Sequence, residues 1–527
     1  MRAVRDTARI SKRKLRGTLA VLSVCGLLLT ACSSLHPQQP PAATGPARAG
    51  AVGGADSTAT VSPELLPYYR QTLHWKPCAA VPSFQCATLT VPLDYARPQA
   101  GDIRLAAIRK KATAAGAARM GSLLLNPGGP GASAVETLLV TADRYSPAMR
   151  AAYDLVALDP RGVGASTPVD CDTDTPVTIS GVSRPGKSTT AGQAAIKDED
   201  AAFKQVAAEC ARHAGRLLPH VGTPDTARDM DIMRALLGDD RLNFLGFSYG
   251  TYLGATYAEL FPSRVGRMVL DGAVDPALDG YRRFLEPAHT HQVAWESFAA
   301  DCAARPACPV GHSVKEAGRA LDSLRATLNR TPLRQGKDVT VTGEDLMNAV
   351  VVALMAPAWD PLRAALREVQ AGDTTTLQQL LAEVMDADPG DQAFSAISCR
   401  SSTLGAGLTS AQAEAALPEF LRASPQFGDL LVKLLMMCTH WPVPATQPSH
   451  PITAPGAAPM LVVGTTRDPA TPYSWAKALA RQLDSGHLLT YDGDGHTAYL
   501  RDSTCINTAV DQYLIHGRLP ATGKVCT

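Results

Sequence analysis

The sequence predicts one α/β domain with a mostly parallel sheet, split by a large, mainly helical insertion. Three observations lead there. From about residue 85, short apolar runs alternate with helix-length stretches, the pattern of strands joined by crossover helices. After about residue 280 the strand signals fade, and residues 281–455 read as amphipathic helices with Pro-rich joints. Strand signals then resume at Met460–Val463 and Leu488–Tyr491, most simply as late strands that complete the first sheet.

The chain opens with Arg2, Arg5, Arg9, Lys12, Arg13, Lys14 and Arg16 against one acid, Asp6, followed by an apolar run from Gly17 to Ala31. A basic segment before a short apolar one is the layout of a secretory signal, and the run is short of the ~20 residues a spanning helix needs. It ends Leu29-Thr30-Ala31-Cys32, like a bacterial lipobox, so residues 1–31 read as a lipoprotein signal and Cys32 as the lipidated residue. Ordinary cleavage a few residues downstream is the alternative. Two acyl chains give the stable anchoring that one does not. Residues 32–62, rich in Pro, Ala, Gly, Gln, Ser and Thr, lack the apolar side chains of a core and read as a flexible tether.

Residues 63–280 carry the first part of the core. Its predicted strands are Ala87–Leu93, Ile103–Ile108, Ser122–Leu125, Leu155–Leu158, Leu242–Leu245 and Arg267–Leu270, with helices at Asp225–Leu237 and Thr251–Leu260. The insertion, 281–455, includes predicted helices at Ser313–Leu328 and Thr376–Met385, and residues 456–527 return to the core. With 527 residues, 45% hydrophobic, the protein has ample material for a buried core. Its formal charge of +1 becomes −5 without residues 1–31, which offers no footprint for nucleic acid. Beyond Cys25 and Cys32 ten cysteines remain, an even number that in an exported protein argues for disulfides. Pairing neighbours in order closes five plausible loops, although spacing leaves the connectivity open. No CxxC or clustered Cys/His spacing suggests a metal.

The chemistry concentrates in four places. Gly246-Phe247-Ser248-Tyr249-Gly250 follows an apolar strand and precedes a helix pattern, where a nucleophile on a tight strand-to-helix turn needs small neighbours. Ser248 would then lie at a helix N-terminus, where free amides favour developing negative charge. An acid and a histidine should follow in that order. Asp468 lies in the loop after one late strand and His496 after the next. His487 starts a strand and His516 lies in the last helix, so neither would reach the sheet's C-terminal edge. Asp271, Asp492 and Asp494 are also near strand ends and compete with Asp468. The fourth place is Asn126-Pro127-Gly128-Gly129-Pro130-Gly131, after an early strand, where Gly129 is the candidate oxyanion donor beside the Tyr249 amide. Asp159-Pro160-Arg161-Gly162 reads as a structural turn braced by an Asp159–Arg161 contact, and no Walker-type lysine follows it.

Taken together, the Asn126–Gly131 loop, Asp159–Gly164, Gly246–Tyr252, Leu270-Asp271-Gly272-Ala273-Val274-Asp275-Pro276 and Thr466–Pro472 resemble the actinobacterial tripeptidyl aminopeptidase family of α/β-hydrolases. The resemblance runs from about Trp75 to the C-terminus. It implies an α/β-hydrolase fold whose helical insertion is a lid, and a serine exopeptidase that releases short peptides from free N-termini. It implies Ser248, Asp468 and His496 as the triad, and Gly129 and Tyr249 as oxyanion donors. Related prolyl aminopeptidases bind the substrate ammonium with lid carboxylates; Glu286, Glu296 and Asp301 are available here. Family members often carry an acid two residues after the cysteine matching Cys399, where this sequence has Ser401. The expectation is therefore an exported, lipid-anchored serine peptidase with peptide or protein substrates, needing no metal or organic cofactor. The rivals are a cell-envelope carboxylesterase and a non-catalytic envelope-binding lipoprotein on a hydrolase scaffold.

Overall fold

The computed structural model describes residues 61–172, 193–335, 339–385, 390–401 and 407–527. The signal, Cys32 and all but the last two residues of the tether lie outside these residues. Twelve strands occur among them: β1 (Lys76–Pro77), β2 (Gln85–Pro92), β3 (Asp102–Lys110), β4 (Ser122–Asn126), β5 (Asp154–Leu158), β6 (Leu242–Phe247), β7 (Val265–Asp271), β8 (Leu333–Gln335), β9 (Val339–Val341), β10 (Met460–Arg467), β11 (Gly486–Asp494) and β12 (Val525–Cys526). Ten form one sheet in the order β1-β2-β3-β5-β4-β6-β7-β10-β11-β12, and β8 and β9 make a separate hairpin. The sheet is parallel from β5 to β12, and β1, β2 and β3 pair antiparallel at one edge. The late strands do join the first sheet, because β10 pairs with β7 in the register Met460↔Met268 to Val463↔Asp271.

Alternation along the strands builds two cores. Side chains of successive strand residues point to opposite faces. Leu124, Val156, Phe244, Met268 and Val462 face one core, which the helices Thr223–Leu236 and Tyr249–Leu260 cover. Their neighbours Leu123, Leu155, Leu245, Val269 and Leu461 face the other, beneath the helices Ala134–Thr141 and Thr504–His516. Every residue of β4 and β5 is buried, as a parallel sheet covered on both faces requires.

Several strands outrun their apolar text. β10 continues past Val463 because its ladder extends to Arg467↔Asp494, where the Arg467 side chain pairs with Asp494 at 2.9 Å. The two-residue strands β1 and β12 and the β8–β9 hairpin are too short to show a period, and sequence reading misses them. Between β7 and β10 the fold is otherwise helical, with its longest helices at Arg282–Ala303, Val314–Arg330, Gly343–Met355 and Ser410–Ala423. Ser313 does not lie inside its helix but caps it, accepting from the Glu316 amide.

Five disulfides link neighbours in order: Cys78–Cys86, Cys171–Cys210, Cys302–Cys308, Cys399–Cys438 and Cys505–Cys526. Among the described residues no helix is long and apolar enough to cross a membrane.

The brace expected between Asp159 and Arg161 is not what forms. Arg161, fully buried, clasps Asp229 of the helix Thr223–Leu236 with two 2.7 Å bonds, and donates to the carbonyls of Pro92, Leu93 and His220. Asp159 instead accepts from the Ser133 hydroxyl at 2.8 Å and the Val135 and Ala165 amides. A buried guanidinium needs a bidentate partner and several acceptors, and a residue two positions away cannot supply that geometry. The segment is structural, as expected, but it ties a helix to the sheet rather than closing a turn.

Candidate active site

Ser248 stands between β6 and the helix Tyr249–Leu260 with φ 54° and ψ −124°. Few non-glycine residues adopt such a conformation, and where one does the surroundings must hold it. Here the backbone is pinned on both sides. The Ser248 amide donates to the Asp271 carbonyl at 2.9 Å, and the Ser248 carbonyl accepts from the Thr251 amide and hydroxyl at 2.9 and 2.6 Å. The flanking glycines are required by space. A Cβ on Gly246 would fall 2.4 Å from the Gly250 carbonyl oxygen, and one on Gly250 would fall 2.8 Å from Asn126 Oδ1.

The Gly-rich loop after β4 meets this elbow at Gly128. A Cβ there would lie 2.9 Å from Ser248 Cβ and 3.1 Å from the Tyr249 nitrogen. A Cβ on Gly129, the predicted donor, would point into its own loop, 2.9 Å from the Ala132 nitrogen. Sequence reading passes over Gly128, although the glycine run itself is the signal.

Asp468 and His496 come together in the loops after β10 and β11. His496 Nδ1 lies 3.0 Å from both Asp468 oxygens. The carboxylate also accepts from the Ala470, Thr471 and Thr497 amides and from the Thr471 hydroxyl. Burial pushes the Asp468 carboxyl up, but His496 and these donors outweigh it and hold it below the ordinary value. Burial likewise pushes His496 down, and the Asp468 charge more than reverses this, so its pKa is raised. The ring lies over Gly272, where a Cβ would be 3.3 Å from His496 Cε1. Gly272 directly follows Asp271, whose carbonyl holds the Ser248 amide. The three candidate residues thus stand just beyond the C-terminal ends of β6, β10 and β11.

The competing acids have other employment. Asp271 is fully buried and accepts from the Ala498 and Tyr499 amides, bracing the histidine loop, and burial pushes its pKa up to about 6. Asp492 and Asp494 pair with Arg467. His487 lies in β11 and His516 ends the last helix. Among the insertion acids, Glu286 bonds Arg282 and the Trp475 indole, and Asp301 pairs with Arg305 and Arg363. Glu296 accepts from the Gln292 amide group. Ser401 is buried and bonds the Thr223 hydroxyl at 2.7 Å, which in turn bonds the Tyr249 hydroxyl at 2.6 Å. The Ser401 position therefore lies beneath the first turn of the Ser248 helix. Here it holds a neutral series of hydroxyls.

Known proteins resemble this chain over most of its length. A family model described as alpha/beta hydrolase fold matches residues 121–351, and one described as TAP-like protein matches 424–526. Serine protease Hip1 of Mycobacterium tuberculosis is 36% identical over 493 residues, spanning 87% of this chain and 92% of that protein. Carboxylesterase B of the same organism is 34% identical, covering 84% and 86%. Tripeptidyl aminopeptidase of Streptomyces lividans is 33% identical, covering 87% of each. The chain belongs to the tripeptidyl aminopeptidase family of α/β-hydrolases, and it is a serine hydrolase.

Proposed function

We propose that the protein is an exported serine exopeptidase that releases short peptides, tripeptides foremost, from the free N-termini of polypeptides. The observation that carries this is the pinned Ser248 turn together with the His496–Asp468 pair, its carboxylate buried and its ring partly exposed. Ser248 Oγ attacks the scissile carbonyl while His496 Nε2 takes its proton, and the C–N bond then breaks as the same proton passes to the departing amine. Water repeats the sequence on the acyl-enzyme. Asp468 keeps the ring proton on Nδ1 and stabilises the imidazolium. The Tyr249 and Gly129 amides receive the oxyanion, and losing one such donor costs ~3 kcal/mol of transition-state stabilisation. The relatives named serine protease and tripeptidyl aminopeptidase support peptide substrates.

A chromogenic tripeptidyl anilide and its N-acetylated form give the test. The free form should be cleaved at least ~100-fold faster, since a buried ammonium left without its partner charge, or a partner left without it, is worth several kcal/mol. Equal cleavage of both would end the exopeptidase reading. Cleavage of short acyl esters alone would favour the carboxylesterase reading, which the resemblance to carboxylesterase B supports.

Five disulfides are the mark of an oxidising compartment and support export. Lipid attachment at Cys32 would keep the enzyme on the outer face of the cell membrane. Cys32→Ser should then lose incorporation of an alkyne-labelled fatty acid, and an unchanged label would refute the anchor.

A further inference from the structure

The general acid decides on which side of the nucleophile the departing half of a substrate lies. The imidazole that receives the serine proton must hand it to the leaving nitrogen, so that nitrogen passes beside His496. A cleft of about 690 Å3 has His496 in its wall together with Thr497, Leu500 and Arg501. Much of its lining is apolar. Leu125 and Phe247 come from the strand ends, Leu138 from the helix Ala134–Thr141, and Val351 and Met355 from the helix Gly343–Met355. That last helix is tied to the site itself, because the His496 amide donates to the Met355 carbonyl at 2.8 Å.

Two cations, Arg144 and Arg501, also line the cleft. Among the described residues neither forms an ion pair. Arg144 is exposed and donates to the Leu500 carbonyl at 2.6 Å. Arg501 donates to the His496 and Thr497 carbonyls at 3.3 and 3.0 Å. Asp143, beside Arg144 in sequence, is engaged by Lys110 and Arg150. Each guanidinium carries five N–H donors, so a few carbonyl contacts leave donors available on both, and although Asp271, Asp468 and Asp502 lie near enough to offset part of the Arg501 charge, that of exposed Arg144 is met by no ion pair. The fork geometry matches a carboxylate.

We propose that this cleft is the leaving-side subsite. It takes an apolar residue directly after the scissile bond and then a carboxylate, from an acidic side group or the C-terminus of the substrate, on Arg144 and Arg501. The proposal rests on the peptidase reading above and adds a preference that neither the triad nor the free-amine requirement supplies.

The test uses one free tripeptide extended by Leu-Glu, Leu-Gln or Leu-Lys, each amidated, together with the Leu-Gln free acid. In the native enzyme kcat/KM for the Glu peptide should exceed that for the Lys peptide by about tenfold or more, the weight of one charge-assisted hydrogen bond. Arg144→Glu should bring that ratio to one or below, and Arg144→Met should place it between. An advantage of the Leu-Gln acid over its amide assigns the site to a peptide terminus; an advantage confined to Glu assigns it to a side group. A native ratio near one for both carboxylate sources, or a ratio unchanged in Arg144→Glu, overturns the proposal. Failure of the peptidase reading is separate, because the native enzyme would then cleave none of the four peptides.

Discussion

Ser248→Ala should lower kcat by about 10^5- to 10^6-fold and abolish labelling by a fluorophosphonate, while the folded protein melts within a degree or two of native. The catalytic loss follows from removing the only atom that can form the acyl bond; what survives comes from the oxyanion donors and substrate binding. The unchanged melting follows from the local structure. The Ser248 hydroxyl does not cap the helix behind it, and the elbow is held by main-chain bonds to Asp271 and Thr251 that alanine retains. Alanine also inherits the positive φ, so the backbone strain, of order 1–3 kcal/mol, is the same before and after. Ser248→Gly would separate the two effects, being as inactive as alanine but more stable by part of that strain. Folded native protein that takes no label would instead identify a retired hydrolase scaffold.

What the sequence discloses about the site, and what it hides, divides along physical lines. Gly246-x-Ser248-x-Gly250 is legible because its constraint is local: two missing side chains make room for the turn, and a strand and helix flank it. His496 is legible by its order in the sequence. Asp468 is harder, since four acids stand near strand ends. Tertiary partners separate them: Arg467 engages two, and the loop amides of Ala498 and Tyr499 occupy Asp271. The Arg161–Asp229 pair lies beyond local reading for the same reason, with a sequence separation of 68 between its members. The main strands are visible through their apolar runs, but their ends are not, because a ladder continues through polar residues such as Arg467 when the neighbouring strand still offers a partner. The bond from His496 to Met355, which fastens the insertion to the site, joins backbone to backbone and leaves no trace in the side-chain pattern.

Asp468→Asn should cost about 10^4-fold in kcat/KM at pH 7 with the fold intact, and the reason is which atom would face which donor. Asp468 Oδ1 accepts two amides, from Ala470 and Thr471, whereas Oδ2 accepts the Thr471 hydroxyl and the Thr497 amide. An asparagine keeps its oxygen at the first position, so its NH2 takes the second. The Thr471 hydroxyl can turn to accept, the Thr497 amide loses its 3.2 Å acceptor, and the NH2 now points at His496 Nδ1. The ring must then accept at Nδ1 and carry its proton on Nε2, where it cannot take one from Ser248. Acidity changes too. Asp468 is what holds the His496 pKa above its ordinary value against burial, so its loss moves the acid limb of kcat/KM to lower pH. The same linkage fixes the stability profile. The depressed Asp468 contributes stability above about pH 4 that is lost as pH falls through its folded pKa. The raised His496 contributes stability below about pH 6.5 that is lost as pH rises through its folded pKa. Melting temperature in the native enzyme should therefore carry a pair-specific maximum between those limits, and Asp468→Asn should flatten it. A variant within tenfold of native activity, with its acid limb unmoved, would take Asp468 out of the mechanism even though it touches the ring.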